Sequence, residues 1–203
     1  MKSISEYIQE RLIIKKRKIV DYKYFPQTKE ELQDIIKKRI NTEGNKVDLN
    51  DIDVSNITDM SGLFRGSNFD GDISNWDVSN VTDMHGMFYE CRTFNQDISN
   101  WNVSNVNNMR SMFSLCESFN QDISSWNVSN VTNMYCMFYD ADKFNKDISG
   151  WDVSNVIDMR YMFSGCKSFN KDISNWDVSN VKDFTNIFSY CKIEEKYKPK
   201  FSI

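Results

Sequence analysis

One phrase dominates the chain. The 25 residues Trp76 to Asn100, WDVSNVTDMHGMFYECRTFNQDISN, recur with tryptophan returning at Trp101, Trp126, Trp151 and Trp176. A shorter copy occupies residues 52–75, with isoleucine in the tryptophan position and one residue missing where FRGSNF replaces FYECRTF. A fixed period of this length marks a repeat architecture in which each unit buries its apolar face only against its neighbours. With 40% hydrophobic and 14% aromatic residues in a chain of 203, there is ample material for a core. Only 7 Gly and 2 Pro are available for turns, so Asn, Asp and Ser must supply them through side-chain bonds to nearby backbone.

Within each unit two halves can be distinguished. In the first, Ile98, Trp101 and Val103 are apolar among polar neighbours, which predicts a short half-buried strand. In the second, Val106, Met109, Met112, Phe113 and Cys116 fall at helical spacing behind Ser104-Asn105, which predicts a short capped helix and a return loop through Phe119-Asn120. The expected fold is therefore α/β, with one strand and one helix per rung over residues 48–191. Ahead of it lie an amphipathic helix within residues 1–14 and an N-terminal cap at 15–47. That cap comprises a strand over Lys18–Phe25 and a helix opened by Thr28-Lys29-Glu30-Glu31, running to about Ile40 and leaving through Gly44. Residues 192–203 read as a C-terminal cap with Tyr197 and Phe201 as contacts.

The spacing Ile98-x-x-Trp101-x-Val103-x-Asn105 resembles a leucine-rich-repeat pattern one residue short. The whole unit, with phrases such as Trp-Asp-Val-Ser-Asn-Val, closely resembles the repeats of the BspA-like leucine-rich-repeat surface proteins of bacteria. That resemblance spans roughly residues 48–191. It implies a right-handed leucine-rich-repeat-like solenoid and a role in adhesion or protein binding at the cell surface. The opening residues carry no signal peptide and no lipobox cysteine, which by sequence points to a cytoplasmic or virion-associated protein. MKSISEYIQERL is also similar to the N-termini of many tailed-phage proteins.

Charge narrows the partners. Residues 1–50 hold 12 basic and 8 acidic side chains, residues 51–191 hold 9 and 19, and residues 192–203 hold 4 and 2. An acidic middle repels phosphates, so no nucleic acid is expected along the repeats. The run Lys15-Lys16-Arg17-Lys18 fits either a phosphate or nuclear-import patch or a solvated face. No apolar run reaches the roughly 18 residues of a membrane span, so no membrane insertion is expected.

Stacked rungs turn each repeated residue into a ladder. The tryptophans, with isoleucine as their substitute at Ile52, are expected to point inward, as are the Met84 and Phe88 columns. Cys91, Cys116, Ala141, Cys166 and Cys191 form a column that tolerates alanine, which predicts buried thiols rather than a metal cluster. Cys136 lies outside that column, on the expected outer side of its helix, and is the candidate reactive thiol. The column from Asn56 to Asn180 is expected to satisfy buried backbone groups. The recurrent aspartates could hold calcium, but turn capping accounts for them equally well. A single histidine, His85, without a paired base or phosphate loop, supports neither an enzyme nor a cofactor or metal.

What varies between rungs is the outer side of the expected helices, positions 82, 85, 86, 89 and 90 and their equivalents. Tyr and Arg, the side chains most frequent at binding hot spots, concentrate there at Tyr89, Arg110, Tyr135, Tyr139, Arg160 and Tyr161. These six are the candidate partner-binding residues. The competing reading is unconstrained drift. The polar, uniform strand face suggests the alternative of a glycan-binding or adhesive module, and the N-terminal helix that of a structural component of a larger particle. A monomer is expected.

Overall fold

The computed structural model describes residues 21–201. The amphipathic helix expected at residues 3–14 and the basic run 15–18 lie outside them. Only one α-helix is present among the described residues, α1 (Lys29–Glu43), together with a single 3-10 turn at Glu195–Tyr197. No rung contains a strand or a helix. This overturns the α/β, leucine-rich-repeat-like architecture expected from the spacing.

Each rung is instead a chain of tight turns. In the rung 97–121, the amides of Trp101, Val106, Met112, Ser114, Cys116 and Phe119 each bond the carbonyl three residues back, at 2.9–3.2 Å. Side chains at 103, 106, 109 and 112, and again at 113, 116 and 119, are therefore spaced by three because successive turns repeat every three residues. A helix face produces nearly the same spacing, which is why the sequence reads as helical. Backbone handedness separates the two. Ser111 and Leu115 sit at φ 53° and 61°, and the same two positions are left-handed in every rung, at Gly62 and Gly66, Gly86 and Glu90, Cys136 and Asp140, Tyr161 and Gly165, Asn186 and Tyr190. A right-handed helix cannot pass through such residues. A positive φ at the third position is what a type II turn requires.

Three further corners are closed by Asx turns. Asp97, Asn102 and Asn108 accept the amides of Ser99, Ser104 and Arg110 at 2.9, 3.2 and 3.2 Å. Asp147, Asp152 and Asp158 do the same two rungs on. The recurrent aspartates and asparagines therefore serve as turn acceptors.

Rungs are joined by hydrogen bonds running parallel to the stack. The amides of Met109, Ser111, Phe113 and Leu115 reach forward to the carbonyls of Asn133, Tyr135, Met137 and Tyr139 at 3.0, 2.7, 2.9 and 2.7 Å. Parallel bridges link Asp59, Asp83, Asn108, Asn133, Asp158 and Asp183 in series. Side chains extend the ladder. Each tryptophan donates its indole N–H to a carbonyl of the rung before, as Trp126 does to Ile98 at 3.1 Å. Asn105 and Asn130 donate to the carbonyls of Ser79 and Ser104 at 2.7 Å. The asparagines, expected to satisfy buried backbone groups at a strand-to-helix turn, lie on the exposed surface, where their bonds to backbone carbonyls tie adjacent rungs together. A second asparagine column, Asn95, Asn120, Asn145 and Asn170, accepts the backbone amide of the following rung.

The core is a set of aromatic columns. Trp76 and Trp101 stack at 6.5 Å and 3° between planes, and all five tryptophans are buried. Phe113 faces Phe119 at 4.0 Å within its rung and Phe138 at 5.7 Å in the next. Phe119 and its equivalents Phe94, Phe144 and Phe169, placed by the sequence in a return loop, are fully buried. Burying each phenylalanine is worth about 1.5–3 kcal/mol. The thiols of Cys91, Cys116 and Cys166 are buried and donate to carbonyls of the preceding rung.

At the N-terminal end α1 closes the stack with Leu32 and Ile36. Thr28 caps it by accepting from the Glu31 amide, while the Glu31 carboxylate accepts from Gln27. The helix runs on to Glu43, beyond the expected end, and Gly44 leaves it at φ 88°, ψ 174°. Among the described residues, the strand expected over Lys18–Phe25 is reduced to one bridge, Tyr24 to Ile52. Arg39 reaches Asp51 at 2.8 Å and the Asp48 carbonyl at 3.1 Å and also pairs with Glu43, so the cap is fastened to the first rung. Gly71, after the shortened stretch, lets the first rung pass close to the cap. A Cβ there would lie 2.0 Å from the Val47 carbonyl oxygen, whereas later rungs carry Gln96, Gln121, Lys146 and Lys171.

Candidate functional site

The left-handed turn segment of each rung leaves alternate side chains outside. In the middle of the array this places Arg110, Tyr135, Arg160 and Tyr161 side by side. The Arg110 guanidinium lies 4.8 Å from the centre of the Tyr135 ring, and that of Arg160 lies 5.0 Å from the same ring. Tyr161 meets Tyr135 edge-on at 6.2 Å and 72°. Tyr135 is thus held by cations from the rung before and the rung after, each contact worth about 0.5–1 kcal/mol at an exposed site.

Arg160 is fixed by its own rung. Its Nε and Nη2 reach both oxygens of Asp158, at 3.0 and 2.6 Å, and Asp183 lies 3.6 Å away. The bidentate pair with Asp158 keeps the guanidinium charged. Arg110 has no ion pair among the described residues, so its charge is available. From sequence Asp158 read only as strengthening a helix start, and neither it nor Asp183 in the same column was taken as a site residue. They perform both tasks: Asp158 accepts the Arg160 amide to make its turn and anchors the same residue's side chain.

The remaining candidates are distributed differently. Tyr139 is half-buried next to Asp140, whose charge holds its hydroxyl above the ordinary value, with Cys136 and Tyr161 contributing. Tyr89 stands apart. In its column Ser114 is buried between Tyr89 and Tyr139, and Tyr89 pairs instead with Arg65 at 4.6 Å. Arg65 was missed because its rung is the short, irregular copy. Cys136 does not lie on the outer side of a helix, since there is none. It occupies a left-handed turn position at φ 52° and is half-buried. Burial pushes its thiol up, against thiolate formation, and the Cys136 hydrogen bond raises the Tyr135 hydroxyl in turn. Position 86, expected outside, is buried as Gly86 and half-buried as Ser111 and Tyr161.

His85 pairs with Asp83 at 3.0 Å on the exposed surface. No group of three potential metal ligands occurs among the described residues.

The model of a family described as "Mycoplasma protein of unknown function, DUF285" matches residues 31–143 and 121–198. Together these spans take in most of the chain. The chain belongs to the DUF285 family. The match supports the resemblance to a BspA-like repeat family, though not a leucine-rich-repeat geometry within the rung. No curated protein and no solved structure matches the chain. Within this repeat the Tyr135 patch sits where the letters vary most, over a column of turn acceptors that alternates only between Asp and Asn.

Proposed function

We propose that this DUF285 chain is a non-catalytic repeat scaffold that binds a protein partner through the patch of Arg110, Tyr135, Arg160 and Tyr161. The observation that supports it is the Tyr135 ring clamped between two guanidiniums on the variable surface. A pre-ordered aromatic flanked by charged donors loses little side-chain entropy on binding, which is why Tyr and Arg are frequent hot spots. The recurrent aspartates of the repeat are engaged as turn acceptors, which favours a scaffold over a catalyst.

The test is affinity for a partner co-purified from the native source, measured with Tyr135→Ala, Arg160→Ala and Tyr161→Ala. A hot spot of about 2 kcal/mol corresponds to a roughly 30-fold weaker complex. At least one variant should show that loss with its unfolding midpoint unchanged. Binding that survives all three would refute the patch.

A second reading is favoured by the open groove of about 440 Å³ lined by Asn130, Thr132, Asn155, Ile157, Asn180 and Lys182. Its period suits an equally periodic ligand such as a polysaccharide. Glycan binding by the wild-type chain that is lost in Asn155→Ala would select this reading.

A further inference from the structure

The forward ladder of amides has to end somewhere. In the penultimate rung, Met159, Tyr161, Phe163 and Gly165 donate to the carbonyls of Asp183, Thr185, Ile187 and Ser189 at 2.9, 3.0, 2.9 and 2.7 Å. The equivalent amides of the last rung, Phe184, Asn186, Phe188 and Tyr190, find no acceptor among the described residues. Between them, Thr185, Ile187 and Ser189 donate within their own turns. The end of the stack is therefore a row of four N–H groups at every second residue.

The C-terminal segment covers the side chains of this rung without satisfying its backbone. Phe201 stacks on Phe184 at 4.3 Å and the Lys198 ammonium lies over Phe188 at 5.7 Å. Val181, Phe184 and Phe188 stay half-buried, where Val156, Met159 and Phe163 one rung earlier are fully enclosed. Tyr190 is 92% exposed. A row of unpaired amides beside half-covered apolar side chains is a template for backbone pairing.

We propose that the edge 184–190 takes up an acidic and apolar peptide segment of another chain, folded in the rung's own turn conformation and running parallel to the edge. Three observations select that occupant. Two copies cannot meet end to end through this edge, because both would present donors. The opposite end of a second copy cannot serve, because α1 lies across it. Charge selects the rest: Asp183, Glu194 and Glu195 pair with Arg160, Lys196 and Lys198. Lys182, Lys192 and Lys200 have no ion pair among the described residues. What fits such an edge is visible in the interior, where residues 82–90 offer the carbonyls of Asp83, His85, Met87 and Tyr89 to the first rung. Like other additions to an open edge, such a segment would draw affinity from main-chain bonds and specificity from alternate side chains.

The probe is the peptide TDMHGMFYE, residues 82–90, blocked at both ends and titrated into the full chain while amide hydrogen exchange is read residue by residue. In the free chain, amides 184, 186, 188 and 190 should exchange at least tenfold faster than 185, 187 and 189. Saturating peptide should slow those four by tenfold or more. Lys182→Glu with Lys192→Glu should weaken the peptide severalfold, and replacing the peptide's Asp and Glu by Asn and Gln should do the same to the wild type. Tyr135→Ala should leave the effect unchanged, so this edge and the Tyr135 patch stand or fall separately. Four amides already protected in the free chain, or peptide at millimolar concentration that fails to slow them, would overturn the proposal.

Discussion

Replacing Gly86 by alanine tests the architecture of the rung through the sign of a single stability change. Gly86 sits at φ 58°. An added Cβ would meet the Tyr89 Cβ at 3.6 Å, an ordinary contact, so space is not the issue. The left-handed backbone costs an L side chain about 1–2 kcal/mol. Against this, alanine restricts the unfolded chain and returns about 0.4–1 kcal/mol. The net expectation is destabilisation by about 1 kcal/mol. Were residues 81–91 a helix, the same substitution would stabilise by roughly 0.5–1 kcal/mol. Urea unfolding followed by the fluorescence of the five buried tryptophans measures the difference, provided the denaturant slope is unchanged. Leu115→Gly is the reverse experiment, since Leu115 bears the left-handed strain at φ 61° that glycine would relieve. A Gly86→Ala protein more stable than wild type would refute the turn-built rung.

The other predictions concern what holds the rungs and caps together. Trp126→Phe removes the indole donor to the Ile98 carbonyl, which keeps its bond from the Trp101 amide; the lost hydrogen bond should cost about 0.5–1.5 kcal/mol, read as a lowered urea midpoint. Asp122, Asp147, Asp152, Asp172, Asp177 and Asp183 are held below the usual carboxylate range by hydrogen bonds from the residue two positions on. Their folded pKa is depressed, so they contribute stability above the unfolded value of about 3.9 that is lost as pH falls through the folded values. Melting temperature should accordingly drop steeply below about pH 4. Asp152→Asn with Asp177→Asn, copying Asn102 and Asn127, should make that drop shallower while keeping the turns. Arg39→Ala removes a mostly buried guanidinium from Asp51 and the Asp48 carbonyl; it should cost about 2 kcal/mol and show first as faster amide exchange in α1.

Much of this was legible in the sequence. The 25-residue period required stacking, and alternatives such as Ile52 for tryptophan or Ala141 for cysteine marked those columns as buried, as they are except at Cys191, which the last rung leaves half-buried. Thr28 and Glu31 announced α1. The candidate site was legible in part: rung-to-rung variation pointed to Arg110, Tyr135, Arg160 and Tyr161, which the stack brings together, but also to Tyr89, which it does not. Arg65, Asp158 and Asp183 were hidden because their partners lie a rung away or because a turn already accounted for them.

The sequence by itself determined the repeat, its register and which columns face inward, because burial has only to recur with the chain to leave a pattern. It did not determine the local conformation, because a spacing of three residues belongs equally to a helix face and to a succession of turns. A signal was available in the two columns holding Gly62, Gly86 and Asn186, and Gly66 and Gly165. Yet Leu115, Cys136 and Tyr161 stand in the same columns, and none of them favours a left-handed backbone. Tertiary structure decided the matter. Each turn spends half of its amides internally and sends the other half to the next rung, a pairing that exists only once the neighbouring rung is in place.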